Sequence, residues 1–190
     1  MILKFIDFLL IKIKIFTIRN RLKQIKLVVT DVDGVLTDGG IALNENGELS
    51  RKFNVRDGLG AKLLKEIGIK IVFLSGGYGK SIIKRANDLE IDYCLTEVKN
   101  KKVALNELQA KIKIGKDKTL YIGDDLNDIV IKDQVSLLIS PSDACNLFKD
   151  NSDFILKAKG GEGAFRELTD LILISQHKIK RYSKGWINKN

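Results

Sequence analysis

Proline is nearly absent, since Pro141 stands alone, so the chain has no proline-rich linker to separate domains. Histidine is equally scarce, and the single His177 lies in a basic tail, where a surface residue is expected rather than a catalyst. Cys94 and Cys145 are too few for a disulfide framework, and neither has a partner at metal-ligand spacing. A reducing cytoplasm is therefore the expected setting. Long uninterrupted apolar runs are missing as well. The opening MILKFIDFLLIKIKIFTIRN is broken by Lys4, Asp7, Lys12 and Lys14 and is followed by no A-x-A-like cleavage site. Residues 1–24 read as an amphipathic extension, expected to pack on the domain or another subunit in preference to a membrane surface.

What remains is an ordinary globular composition, with 44% hydrophobic and 30% charged residues over 190 positions, enough for one domain with a proper core. The net charge of +9 suggests nucleic acid until its distribution is considered. Residues 1–30 carry seven Lys or Arg against Asp7, and residues 175–190 carry five with no acid, which leaves 21 basic and 23 acidic groups between them. The excess belongs to the tails, so nucleic-acid binding is not expected as the main function. The expected organisation is an extension over 1–24, one catalytic domain over 25–174 and a basic tail over 175–190.

Within that domain short β-rich runs alternate with amphipathic stretches. IKLVVT (25–30), IKIVFL (69–74), IDYCL (91–95), KTLYI (118–122) and SLLIS (136–140) read as strands buried on both faces. Residues 59–68, 80–89, 101–112 and 125–133 have helical spacing between them, and Pro141 is expected to open a further helix. The alternation predicts an α/β fold, a three-layer doubly wound parallel sheet whose ligands bind outside the carboxyl ends of the strands. That rule gathers Asp31 and Asp33 after the first strand, Ser75 after the second, and Asp124, Asp125 and Asp128 after the fourth. Carboxylates crowded this closely repel unless a cation sits among them, and a hard divalent ion such as Mg²⁺ suits such oxygens. Nucleophile, proton donor, cation and oxyanion donors for phosphoryl transfer are thus all available at one rim.

The order of these residues resembles the haloacid dehalogenase superfamily of phosphohydrolases. Its first motif, D-x-D-G-[VT]-L-[TV], matches Asp31 to Thr37; its second, a Ser or Thr ending a strand, matches Ser75 in VFLSGG. Its Lys matches VKNKKVAL, with Lys101 preferred to Lys99 and Lys102, and its G-D-D-x-x-D matches Gly123 to Asp128. The resemblance implies that Asp31 attacks phosphorus to form an aspartyl-phosphate, while Asp33 protonates the leaving alkoxide and then activates water. It implies Mg²⁺ on the Asp31 carboxylate, the Asp33 carbonyl and Asp124, and phosphoryl oxygens held by Ser75, Gly76 and Lys101. Asp125 and Asp128 are expected to support the ligands, and Asp38 to shape the loop.

Insertions narrow the group. Only 37 residues separate Thr37 from Ser75, and they read as a β-hairpin flap turning at Asn46-Gly47 rather than as a cap domain. With FNVRDG (53–58) and KGGEGAFRELTDLIL (159–173), the chain looks like the capless sugar-phosphate phosphatases that include the 3-deoxy-D-manno-octulosonate 8-phosphate enzymes of lipopolysaccharide biosynthesis. That resemblance implies a homotetramer, a sugar-acid phosphate substrate, and Arg56, Asp57 and Arg166 on the substrate side. One position departs from the group, since Gly77 stands where T-G-R-x-S would place an arginine. Nonulosonate 9-phosphate phosphatases and the tetramerising module of some acylneuraminate cytidylyltransferases share the architecture. A receiver module would also cluster acids and a lysine, but gives no reason for D-x-D-G followed by a hairpin.

Overall fold

The computed structural model describes residue 16 and residues 18–182. Most of the expected amphipathic extension and residues 183–190 of the basic tail lie outside the described residues. The first described element is a helical segment over residues 18–24, α1. Ile18 and Leu22 of α1 join the core, and Gln176 Nε2 donates to the carbonyls of Leu22 and Ile25 at 3.2 and 3.1 Å.

Six strands form one parallel sheet: β1 (Leu27–Thr30), β4 (Lys70–Leu74), β5 (Tyr93–Leu95), β6 (Thr119–Ile122), β7 (Leu137–Ser140) and β8 (Phe154–Ile155). Their order is β5-β4-β1-β6-β7-β8, so the chain builds outward from β1 on one side and then crosses to the other. Beside β1 lies the topological switch of a doubly wound sheet. The five sequence runs correspond to β1, β4, β5, β6 and β7. The sixth, β8, went unread because two residues carry no periodicity.

Apolar runs form these strands because both sheet faces are covered, and successive side chains enter opposite layers. Val28, Ile71, Phe73, Leu120, Ile122 and Ile139 point into one layer; Leu27, Val29, Val72, Leu74, Tyr121 and Leu138 point into the other. The first layer is covered by α2 (Val55–Glu66), α3 (Lys80–Asp88) and α6 (Ala164–Ser175). The second is covered by α4 (Lys101–Ile112), a 3₁₀ segment over Leu126–Gln134 and α5 (Asn146–Asn151). Asn54 caps α2 by accepting from Arg56 N at 2.8 Å, and Asn100 caps α4 by accepting from Val103 N at 3.1 Å. Helices α2 and α6 approach closely because Gly60 has no Cβ, which would otherwise lie 2.8 Å from Thr169 Oγ1.

Two expectations are corrected. Residues 126–134 are 3₁₀ rather than α-helix. Pro141 opens a turn, accepting from Ala144 N, and α5 begins five residues later with Cys145 Sγ accepting from Phe148 N at 3.4 Å.

The hairpin flap is a separate two-stranded sheet, β2 (Ala42–Leu43) paired antiparallel with β3 (Leu49–Ser50). Its turn closes as Asn44 Oδ1 accepts from Asn46 N and Glu48 N, with Gly47 at φ +73°. Ile41 and Leu43 are 56% and 66% exposed, whereas Phe73 of β4 is 1% exposed. Burial of a large apolar side chain contributes about 1.5–3 kcal/mol, a gain these two flap residues lack within one chain.

Candidate active site

Backbone geometry at the end of β1 comes first. Gly34 has φ +81°, and a Cβ there would lie 2.0 Å from Asp124 Oδ2, so the glycine of D-x-D-G lets the two loops meet. Gly160 and Gly161 pack against this loop from the other side, where a Cβ on Gly160 would lie 1.9 Å from the Gly34 carbonyl oxygen. The late GGEG segment thus buttresses the first motif.

Asp31 is 6% exposed and its Oδ1 accepts from Val32 N at 2.7 Å. Its Oδ2 lies 2.9 Å from Lys101 Nζ, carried by the first residue of α4. Lys101, 3% exposed, also donates to Asp128 Oδ1 at 2.5 Å. Asp128 is fully buried and accepts further from Tyr121 Oη at 2.5 Å and, through Oδ2, from Asp124 N at 3.0 Å. Gly123 permits this, because a Cβ there would lie 2.3 Å from Asp128 Oδ2. Asp125 caps the 3₁₀ segment by accepting from Leu126 N at 2.7 Å. Ser75, 1% exposed, accepts from Gly77 N at 3.0 Å.

The electrostatics record the crowding. Burial raises the Asp31 carboxyl, Asp128 raises it further, and Lys101 pulls it back, leaving it at about 6. Asp124 is pushed up to about 8, by burial and then by the charges of Asp31, Asp128 and Asp125. Burial alone would lower the Lys101 amine, but Asp31 and Asp128 outweigh it and leave it raised, so it stays cationic. Tyr121 is raised well above its ordinary value by burial and by Asp128, so it stays a neutral donor. Asp31, Asp124 and Asp128 each offer an oxygen within 4.8 Å of the others. An all-oxygen anionic donor set of this kind fits a hard divalent cation such as Mg²⁺.

These groups open into a cleft of about 280 Å³ lined by Asp31, Asp33, Ser75, Gly76, Asp124 and Asn127, among others. Asp31, Asp33, Ser75, Gly76, Asp124 and Asp125 all line it, and Lys101 and Asp128 stand behind it. Asp38 lies in the adjoining loop, where Oδ1 accepts from Gly40 N at 3.0 Å.

The three substrate-side candidates lie away from this cleft within one chain. Arg56 is exposed in the first turn of α2, and Arg166 Nε pairs with Asp170 Oδ1 at 3.0 Å within α6. Asp57 is 3% exposed and accepts from Arg166 N at 2.8 Å, capping α6 from the neighbouring helix. Burial raises its carboxyl to about 6 against the pull of the Arg166 amide, Arg85 and Arg166, and its Oδ2 has no hydrogen-bond partner. None of the three lines the cleft within one chain. A residue missed in the sequence does reach Asp33: Arg51, just past β3, donates from Nε to Asp33 Oδ1 at 2.7 Å and from Nη2 to Oδ2 at 3.0 Å. The signal available was Ser75-Gly76-Gly77-Tyr78-Gly79, whose small residues leave room for a side chain from elsewhere.

No family model matches the chain. Among curated proteins it is 38% identical to the 3-deoxy-D-manno-octulosonate 8-phosphate phosphatase KdsC of Yersinia pestis over 161 residues, 85% of this chain and 86% of that one. A crystal structure of the Moraxella catarrhalis enzyme of that name, in complex with magnesium, phosphate and a KDO molecule, superposes with a TM-score of 0.84 at 36% identity. It covers 87% of this chain and 95% of the other. A Legionella pneumophila structure described as a subfamily III A hydrolase of the haloacid dehalogenase superfamily gives a TM-score of 0.88 at 33% identity, over 90% and 94% of the two chains. With its parallel sheet, its hairpin in place of a cap and its cluster of motif acids, the chain belongs to the KdsC family of phosphatases in the haloacid dehalogenase superfamily.

Proposed function

We propose that the chain hydrolyses 3-deoxy-D-manno-octulosonate 8-phosphate to the free sugar acid and inorganic phosphate, through a phosphoryl group carried on Asp31. The observation that carries this reading is the Lys101 ammonium held between Asp31 and Asp128 beside Asp124, all at the rim where strands β1 and β6 end. The similarity to KdsC proteins supports the substrate.

Lys101 and the Val32 amide fix the Asp31 carboxylate, so its nucleophilic oxygen meets phosphorus in one orientation. Ser75, Gly76 and Lys101 hold the phosphoryl oxygens. Asp33, 28% exposed at its side chain, gives a proton to the leaving sugar oxygen and then takes one from the water that attacks the acyl-phosphate. The Asp31 and Asp124 carboxylates, with the Asp33 carbonyl, would hold Mg²⁺, which when bound supplies positive charge against the phosphoryl oxygens. Asp128 positions Lys101 and the Asp124 backbone, and Asp125 fixes the start of the 3₁₀ segment.

The catalytic unit of this reading spans residues 25–174, and the protein works in the cytoplasm as a homotetramer. The open cleft and the exposed Ile41, Leu43 and Val55 support an assembly in which flaps cover neighbouring sites. Arg56 is available at that boundary. Phosphate release with Mg²⁺ from a panel of sugar phosphates tests the substrate. The octulosonate 8-phosphate should lead the panel in kcat/KM, and preference for a nonulosonate 9-phosphate or a neutral hexose phosphate would overturn the assignment.

A further inference from the structure

Arg51 lies at the base of the flap, and its side chain is 1% exposed although the hairpin above it is open to solvent. Its guanidinium grips both oxygens of Asp33, a fork that arginine makes and lysine cannot. The third nitrogen, Nη1, donates to Ser81 Oγ at 3.2 Å. Two glycines make the space. A Cβ on Gly77 would lie 2.8 Å from Asp33 Oδ2, 3.2 Å from Arg51 Nη2 and 3.3 Å from Ser75 Oγ, and one on Gly79 would lie 2.9 Å from Arg51 Nη1. The guanidinium therefore sits at the edge of the pocket where Ser75 waits for a phosphoryl group.

This geometry conflicts with the work assigned to Asp33. A carboxyl that hands a proton to a leaving oxygen and later accepts one from water needs an oxygen free to face each of them. Both are occupied by donors, and arginine does not release the fork by deprotonating. The pair must instead change partner, and the anion that can take the guanidinium in the same bidentate geometry is a phosphoryl group.

We propose that Arg51 is a substrate-operated latch, tying the flap to Asp33 in the free enzyme and passing to the phosphoryl oxygens as substrate enters, which frees the Asp33 carboxylate to take the proton of a phosphate monoester monoanion and pass it to the leaving oxygen. The inference rests on the phosphatase reading above and deepens it, adding a positioning residue from the flap to the groups on the strand ends. The exchange is nearly balanced, since one charge-assisted pair replaces another, so a modest phosphate affinity suffices to drive it.

The test is a double-mutant cycle on the full chain with Mg²⁺, using inorganic phosphate as ligand and calorimetry as readout, so that it does not depend on which sugar phosphate is turned over. Asp33→Asn removes the competitor for the guanidinium and should tighten phosphate binding about tenfold. Arg51→Ala should weaken it about ten- to hundredfold. In Asp33→Asn/Arg51→Ala the gain from the first substitution should disappear. With p-nitrophenyl phosphate, Arg51→Ala should raise KM while kcat holds within about threefold, and Arg51→Lys should recover part of the affinity. Arg51→Gln, which keeps the side-chain length, repeats the cycle should the alanine variant unfold. Additive effects of the two substitutions, or a fall in kcat at unchanged KM, would overturn the latch. Failure of the octulosonate substrate alone would show instead as normal coupling to phosphate with no turnover of that sugar.

Discussion

Asp31 and Asp33 are two residues apart and live in different surroundings. Asp31 is sunk behind the strand ends, fixed by a backbone amide and by a lysine that is itself pinned between two carboxylates. Asp33 is more than a quarter exposed; Thr37 Oγ1 donates to its Oδ1 at 3.4 Å, and its charged partner is one arginine reaching in from a hairpin with little of its own to hold it. The contrast matches their proposed chemistry: a nucleophile gains from an unchanging approach to phosphorus, while an acid that becomes a base must change partners within a cycle. Rigid elements carry the first, and the part of the fold with the least burial carries the control of the second.

The sharpest way to break this contrast is Asp31→Asn, which keeps the shape but cannot form the acyl-phosphate. Steady-state turnover should fall by at least about 10³-fold with the fold intact by circular dichroism. Chelation comes next: EDTA should abolish turnover and added Mg²⁺ should restore it, as expected if Asp31 and Asp124 are held together by a cation. Lys101→Met leaves Asp31 and Asp128 buried without their cation and should cost about 3–5 kcal/mol in urea unfolding. The exposed end of the comparison predicts less. Shortening the flap across residues 44–48 should leave stability nearly unchanged and lower turnover of the sugar-acid phosphate far more than that of a small aryl phosphate.

The smallest expected effect concerns Asp57, which lies away from both carboxylates. Its carboxyl is raised from 3.8 to about 6 in the folded chain, so folding favours the protonated form. The resulting penalty is absent below the unfolded value, grows as pH rises from about 4 to 6, and is complete above that. Asp57→Asn should remove this pH dependence, so its stability relative to the native chain should improve between pH 4 and pH 7 by on the order of 1–3 kcal/mol. An unchanged difference across that range would contradict the burial argument.

The sequence revealed most where the information was local. D-x-D-G after an apolar run, G-D-D-x-x-D after another, and the helical spacing that begins at Lys101 each fix a short piece of backbone. The parallel sheet then brings those pieces to one rim. Contacts set by tertiary packing were not legible. Arg51 meets Asp33 only because the hairpin folds back, and nothing within a few residues of Arg51 announces it. Asp57 and Arg166 stand on the substrate side by resemblance to the group, and their packing within the chain was not legible: they meet where α2 and α6 approach through Gly60, and there Asp57 caps α6. The two-residue β8 carried too little pattern to be seen at all.

Asp33→Asn exposes the division of labour between the two carboxylates most directly. With the base for the second step removed, phosphate should accumulate on the enzyme when substrate and Mg²⁺ are mixed and quenched in acid. Intact mass and peptide mapping should then find one phosphoryl group on Asp31. Product formed by this variant with no phosphoenzyme at any quench time, or a phosphoryl group on another residue, would contradict it.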